Sequence, residues 1–185
     1  MKPTVDLSHY NNCSFDTGAS MLKRILWYVF NALFFKSSFH GYKFKVAILK
    51  LFGAELGIDV KIKPHVNIKY PWNLVIGNHV WIGENVWIDN LDKVQIGNHV
   101  CISQGAILLC GNHNFSSTKF ELITGRIILE DGVWIGAKSM VCLNVICHSH
   151  SVLSVMSVAS KDLQAYTINK GNPAEPIKER IIEST

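Results

Sequence analysis

Charge is scarce in this sequence. Only 17% of its 185 residues are Asp, Glu, Lys or Arg, against 48% hydrophobic residues. That ratio is apolar for a freely exposed monomer, so part of the surface is expected to be covered by a partner chain or a lipid headgroup layer. The net charge is only +4 and no basic run is interleaved with aromatics, which argues against nucleic acid as a partner. Paired CxxC spacing is missing as well. The five cysteines (Cys13, Cys101, Cys110, Cys142 and Cys147) are odd in number and read as reduced, buried thiols. No run is long enough to span a bilayer. MLKRILWYVFNALFF, residues 21–35, is apolar but short and carries Lys23 and Arg24. It reads as an amphipathic helix at a core or subunit interface, with peripheral membrane contact through residues 21–35 as the second reading. The start, MKPTVDLSHYNNCSFD, is too polar for a secretory h-region. The length suits one domain with a small appendage, and a chain of this size hides roughly 70% of its unfolded surface.

What is present is a period of six. Leu56, Ile62 and Ile68 are followed, after a slip of two residues, by Ile76, Ile82 and Ile88. After a second slip come Ile96, Ile102 and Leu108, and the last run is Leu129, Ile135, Val141, Cys147, Leu153 and Ala159. Four residues past most of these stands a small or branched residue: Val60, Val66, Val80, Val86, Val100, Ala106, Val133, Ser139, Val145, Ser151 or Ser157. A helix returns its apolar positions every three or four residues and a two-sided strand every two, so neither produces this rhythm. Short strands joined by tight turns do, in a parallel β-helix with three hexads per coil. Gly57, Gly77, Gly83, Gly97 and Gly136 each follow an aliphatic position directly and are expected to supply unusual turn dihedrals. The expected organisation is an N-terminal helical cap over 1–52, with helices at 19–35 and about 40–51. The β-helix follows over 53–162 with a protruding loop at 110–127, then a C-terminal tail over 163–185 with a short helix near 176–183. The loop interrupts the rhythm around one histidine, His113, flanked by Asn112 and Asn114. Insertions in a solenoid project from its corners, where functional residues often lie.

The hexads, the GNHN loop, IILEDGVWIGAKSMV and the SKD…KGNPA ending together resemble the hexapeptide-repeat acyltransferases. Within that family the chain is most similar to exopolysaccharide O-acetyltransferases of the colanic-acid type, with the maltose, galactoside and nodulation-factor acetyltransferases as cousins. The resemblance implies a mostly β fold, a left-handed parallel β-helix, which the period alone does not. It also implies acetyl-CoA as acyl donor with no metal required, and a homotrimer with active sites between subunits. The expected activity is acetyl transfer to a sugar hydroxyl in surface polysaccharide biosynthesis, at a cytoplasmic location associated with the inner membrane face. One departure stands out: where the family's last coils are glycine-rich, this chain reads VICHSHSVLSVMSVAS, with His148 and Ser154 at common glycine positions.

Moving an acetyl group from a thioester to a hydroxyl needs a base, and an imidazole with an ordinary pKa near 6.5 suits neutral pH. By resemblance His113 is that catalytic base; a backbone carbonyl, Asp89 or Asp92 could orient its other nitrogen. Asn85, Asp89 and Asn90, around the second slip, fall where related enzymes contact the acceptor. Trp134, Gly136 and Ala137 match residues lining the pantetheine slot. Ser160 and Lys161 match a Thr-Lys pair near the cofactor, and Lys178 and Arg180 are expected to approach its phosphates. Cys147, His148 and His150 suggest a metal only superficially, because Cys147 occupies an inward hexad position. The competing readings are a serine-type or amino-sugar N-acetyltransferase, a non-catalytic β-helix scaffold, and a metal-binding branch. The serine enzymes' long N-terminal helical domain is absent from this sequence, and the GNHNFSST loop does not offer the metal branch's closely spaced histidine pair.

Overall fold

A computed structural model describes residues 2–183. The hexads wind into a parallel β-helix whose coils each contribute one short strand to three flat faces. The first face stacks Glu55–Leu56, Leu74–Ile76, Val94–Ile96, Ile127–Leu129 and Ile146–Cys147. The second stacks Lys61–Ile62, Trp81–Ile82, Cys101–Ile102, Trp134–Ile135 and Val152–Leu153, and the third Asn67–Ile68, Trp87–Asp89, Ile107–Leu109, Met140–Cys142 and Val158–Ala159. The pairing is in register, so equivalent residues of successive coils face one another, as in Lys61↔Trp81↔Cys101↔Trp134↔Val152. This is the left-handed hexapeptide-repeat architecture.

The period of six is the period of the core. From Ile62 to Ala159 the aliphatic column is at most 2% exposed, and the small or branched column beside it is equally enclosed, Ser139, Ser151 and Ser157 included. Leu56, at the open start, is half-buried. Burial of stacked aliphatic side chains, at about 25 cal/mol per Å² of apolar area, is what holds a structure with so few residues per strand.

The corners correct one expectation. The left-handed backbone that each turn requires falls mainly on residues with side chains: Asp59, His79, His99 and His150 at one corner, His65, Asn85, Lys138 and Met156 at the next, with φ between 52° and 60°. None of Gly57, Gly77, Gly83, Gly97 and Gly136 has positive φ. They are glycines because coils stack there with no room for a side chain. A Cβ on Gly77 would lie 2.7 Å from the Gly97 carbonyl carbon, and one on Gly136 2.6 Å from the Val155 nitrogen. Beside them runs a ladder of two side-chain amides and a carboxylate: Asn78 Oδ1 accepts from Ile58 N, Asn98 Oδ1 from Asn78 N, and Asp131 Oδ1 from Asn98 N.

The N-terminal helices lie where expected, α1 at Met21–Phe30 with a π-helical extension through Phe35, and α2 at Tyr42–Leu51. They close the open end of the first coil. Trp27 is fully buried and donates its indole N–H to Ile68 O at 2.9 Å. Lys45 is buried too, and its ammonium donates to the carbonyls of Lys63 and Ile62, groups for which no earlier strand exists. Burial without a carboxylate pushes Lys45 down to about 8.

At the other end the chain departs from expectation. No helix forms near 176–183; Thr167–Gly171 adds a sixth strand to the second face, and Ala174–Glu179 folds back antiparallel to it. The exposed edge of the last coil offers unpaired backbone groups, and a hairpin satisfies them where a helix would not. Of the five thiols, Cys110 and Cys147 are buried, Cys101 and Cys142 are half-buried, and Cys13 is exposed.

Candidate active site

The loop that interrupts the repeat is a small antiparallel hairpin, Gly111–His113 paired with Leu122–Thr124. It springs from the corner between the third and first faces. His113 ends its first strand, with its imidazole held from two sides. Nδ1 lies 2.9 Å from the carbonyl oxygen of Phe120, and the phenyl ring of Phe120 stacks on the imidazole at 4.5 Å and 5°. Phe120 can do both because its own φ is +52°, the left-handed region in which a bulky residue is strained. A carbonyl oxygen only accepts, so Nδ1 is the nitrogen that carries the proton, and in the neutral imidazole Nε2 has the lone pair. Of the orienting groups left open by the sequence, the backbone carbonyl is the one in place.

His113 lines a cleft of about 490 Å³ together with Tyr10, Arg24, Lys69, Tyr70 and Asp89. The N-terminal strap reaches across to form one wall: Asp6 N donates to Thr118 O, and the Tyr10 ring stands 5.7 Å from the imidazole. Asp89 is 8% exposed and lies 3.0 Å from Lys69 Nζ, yet its Oδ1 makes no hydrogen bond in good geometry. Cys110, just before the hairpin, is enclosed, and burial pushes its thiol up to about 12. It is therefore protonated at neutral pH and a poor nucleophile.

The other acceptor candidates lie elsewhere. Asn90 is fully buried, with its side-chain oxygen accepting from Lys69 N and Tyr70 N and its amide donating to Tyr70 O. Asn85 sits in the left-handed turn between the second and third faces, outside the cleft. Lys69 could have been found in the sequence, since it pairs in register two residues after Asn67↔Trp87 and so stands one coil below Asp89. Arg24 and Tyr10 carry no such signal, because they enter from outside the repeat.

A second depression, of about 720 Å³, runs along the second face and its corner with the third. Trp134, Gly136, Ala137, Lys178 and Arg180 line it, joined by Ser103 and Gln104, which the sequence did not flag. Trp134 is 47% exposed and donates its indole N–H to Ser103 Oγ at 2.9 Å, which ties the ring to the wall of the groove. Gly136 is required by coil stacking, as above, whatever binds beside it. Arg180 donates to the carbonyls of Gly132 and His150, so one arm of its guanidinium is committed to the scaffold. Ser160 and Lys161 are exposed and lie outside this groove. Cys147, His148 and His150 do not converge: the thiol is in the core, His148 faces Glu130 at 3.1 Å, and His150 stacks on Tyr166.

Cleft and groove share no residue. They flank the third face, whose three-residue strands alone span about 10 Å.

Compared with known proteins, the chain is 33% identical over 177 residues to an Escherichia coli protein, WcaF, named for acetyl transfer in colanic acid biosynthesis; the match covers 95% of this chain and 97% of that one. The galactoside O-acetyltransferase of Escherichia coli is 26% identical over 136 residues, 72% of this chain and 67% of its own length. Among solved structures, a hexapeptide-repeat acetyltransferase of Vibrio cholerae, determined with acetyl coenzyme A, has a TM-score of 0.80 at 22% identity, covering 89% of this chain and 92% of the other. No family model matches the chain.

Proposed function

The chain belongs to the hexapeptide-repeat acetyltransferases, and from that membership we propose that it moves an acetyl group from acetyl-CoA to a sugar hydroxyl during assembly of a surface or extracellular polysaccharide. The observation that carries the reading is the anchoring of His113 Nδ1 on the Phe120 carbonyl, which leaves Nε2 as the free base in a cleft. Nε2 takes the proton of the acceptor hydroxyl as its oxygen attacks the thioester carbonyl. The tetrahedral intermediate collapses, the C–S bond breaks, and the leaving sulfur recovers the proton from the imidazolium. The Phe120 carbonyl keeps Nδ1–H in place through both transfers. Asp89 lies in the same cleft, and its Oδ1, which faces Lys69 without a hydrogen bond in good geometry, can accept from a second hydroxyl of the acceptor.

The groove suits the donor. An indole, small residues on the turn and Lys178 with Arg180 along the same groove match a pantetheine arm that ends in phosphates. Because groove and cleft flank one face, the thioester in one copy's groove meets His113 of a neighbouring copy, in keeping with a homotrimer. Ser160 and Lys161 would then act, if at all, on the adenosine end beyond the groove.

The same reading extends to location, at the cytoplasmic side of a membrane. Among the described residues no helix is long and apolar enough to cross one. However, α1 and its extension leave Leu22, Ile25, Leu26, Val29 and Leu33 exposed along one stripe. No acidic residue occurs between Asp16 and Glu55, while Lys36, Lys43 and Lys50 are exposed. An apolar stripe with cations and no anions fits an anionic lipid surface.

The test is thiol release from acetyl-CoA against sugars, lipid-linked sugars and polysaccharide fragments, with His113→Ala in parallel. Acceptor-dependent release that falls by about 10² or more in the variant supports the reading. Equal release by both proteins removes His113 from the mechanism.

A further inference from the structure

The cleft beside His113 contains a charge that none of the described residues answers. Lys69 and Asp89 lie 3.0 Å apart and neutralise each other. Arg24, projecting from α1 into the same cleft, is left over. No carboxylate pairs with it among the described residues, and its Nε is buried without a hydrogen-bond partner. A guanidinium keeps its charge at any physiological pH, and a buried donor without an acceptor is rare in folded proteins. Asp89 Oδ1, the oxygen 3.0 Å from Lys69 Nζ, is buried in the same space and makes no hydrogen bond in good geometry, so it still has capacity to accept one. A ligand that meets both atoms must bring an anionic oxygen for Arg24 and a hydroxyl donor for Asp89. A guanidinium is best met by the paired oxygens of a carboxylate or phosphate.

We infer that the cleft selects an anionic saccharide, gripped through its carboxylate or phosphate by Arg24, with one hydroxyl donating to Asp89 while another meets His113 Nε2. This deepens the acetyl-transfer reading, since it names the acceptor class of the same cleft. The aromatic strap fits the assignment: Tyr10 and Phe15 wall the cleft with Arg24 and supply the apolar surface on which a sugar ring lies. Neutral sugars would satisfy Asp89 and leave Arg24 unanswered.

Direct binding tests this without relying on turnover. Methyl glucuronoside, methyl glucoside and glucose 1-phosphate are titrated by calorimetry into the full-length wild type and into the Arg24→Gln and Arg24→Lys variants, with melting curves to confirm folding. At least one anionic ligand should bind the wild type about tenfold or more tightly than the glucoside. The preference should collapse in Arg24→Gln, return in part in Arg24→Lys and weaken with added salt. Preference for the glucuronoside points to a uronic acid, and preference for the phosphate to a phosphorylated or phosphate-linked sugar. Equal affinity for all three, a preference that survives Arg24→Gln, or no binding of either anion at millimolar concentration overturns the inference. Thiol release in the same samples separates the two proposals. Transfer to neutral and acidic sugars alike keeps the acetyltransferase and discards the anionic acceptor. Arg24-dependent anion binding with no transfer does the reverse.

Discussion

Two side chains illustrate how one neighbour can set the chemistry of another. The Phe120 carbonyl decides which nitrogen of His113 bears the proton, and the Phe120 ring fixes the imidazole plane. Phe120→Ala keeps the carbonyl but removes the stack, so in the proposed reaction it should lower kcat several-fold, on the order of tenfold, with the KM for acetyl-CoA unchanged. Steady-state kinetics with varied acetyl-CoA checks this. Lys45 gives a stability prediction with a defined sign. Its amine has an ordinary value near 10.4 when unfolded and about 8 when buried. Between those values the unfolded chain binds more protons, so this residue's contribution favours the fold increasingly as pH rises through that window, and its penalty is complete below about 8. Urea unfolding should show the wild type gaining about 1–2 kcal/mol relative to Lys45→Met between pH 8 and 10. A constant difference would mean that the Lys63 and Ile62 carbonyls hold the ammonium without a burial penalty.

Coil stacking makes similar demands on glycine wherever the backbones converge. Gly77 lies in the repeat far from both depressions, and a Cβ there would stand 2.7 Å from Gly97 carbonyl atoms. Gly77→Ala should therefore destabilise the fold by about 1–3 kcal/mol through overpacking, although φ at this position suits any residue. A lowered Tm with unchanged acetyl-CoA affinity is the expected pair of results. Among the helices, the exposed stripe of α1 is tested by sedimentation with vesicles. Binding to vesicles containing anionic lipid, lost on Leu22→Glu/Leu26→Glu and absent with neutral lipid, is expected.

For the assembled molecule, the separation of cleft and groove makes the strongest prediction. If each reaction uses the base of one copy and the donor groove of another, two inactive variants should rescue each other. Hybrid oligomers of His113→Ala and Arg180→Glu should recover a measurable share of wild-type turnover, because some interfaces pair an intact cleft with an intact groove. Each variant alone should remain inactive. Hybrids no more active than the separate variants would place both functions within one copy.

The repeat was legible because each coil buries its own hexads against the next, a local and periodic requirement written directly into residues such as Ile82, Ile102 and Ile135. His113 stood out for the opposite reason, as a polar break in that period. The turn backbone was misread, since the left-handed positions fell mostly on residues such as histidine and asparagine, and the glycines answered to an adjacent coil about 17 to 34 residues away. The closing strand was missed because IKERIIE is amphipathic enough for a helix, and only the open edge of the last coil makes a strand the better partner. Arg24, Tyr10 and the Phe120 carbonyl were beyond the reach of the primary structure for a shared reason. They come to His113 from a helix, a strap and a turn that obey no common spacing, and their meeting depends on how those pieces pack around a single corner of the coil.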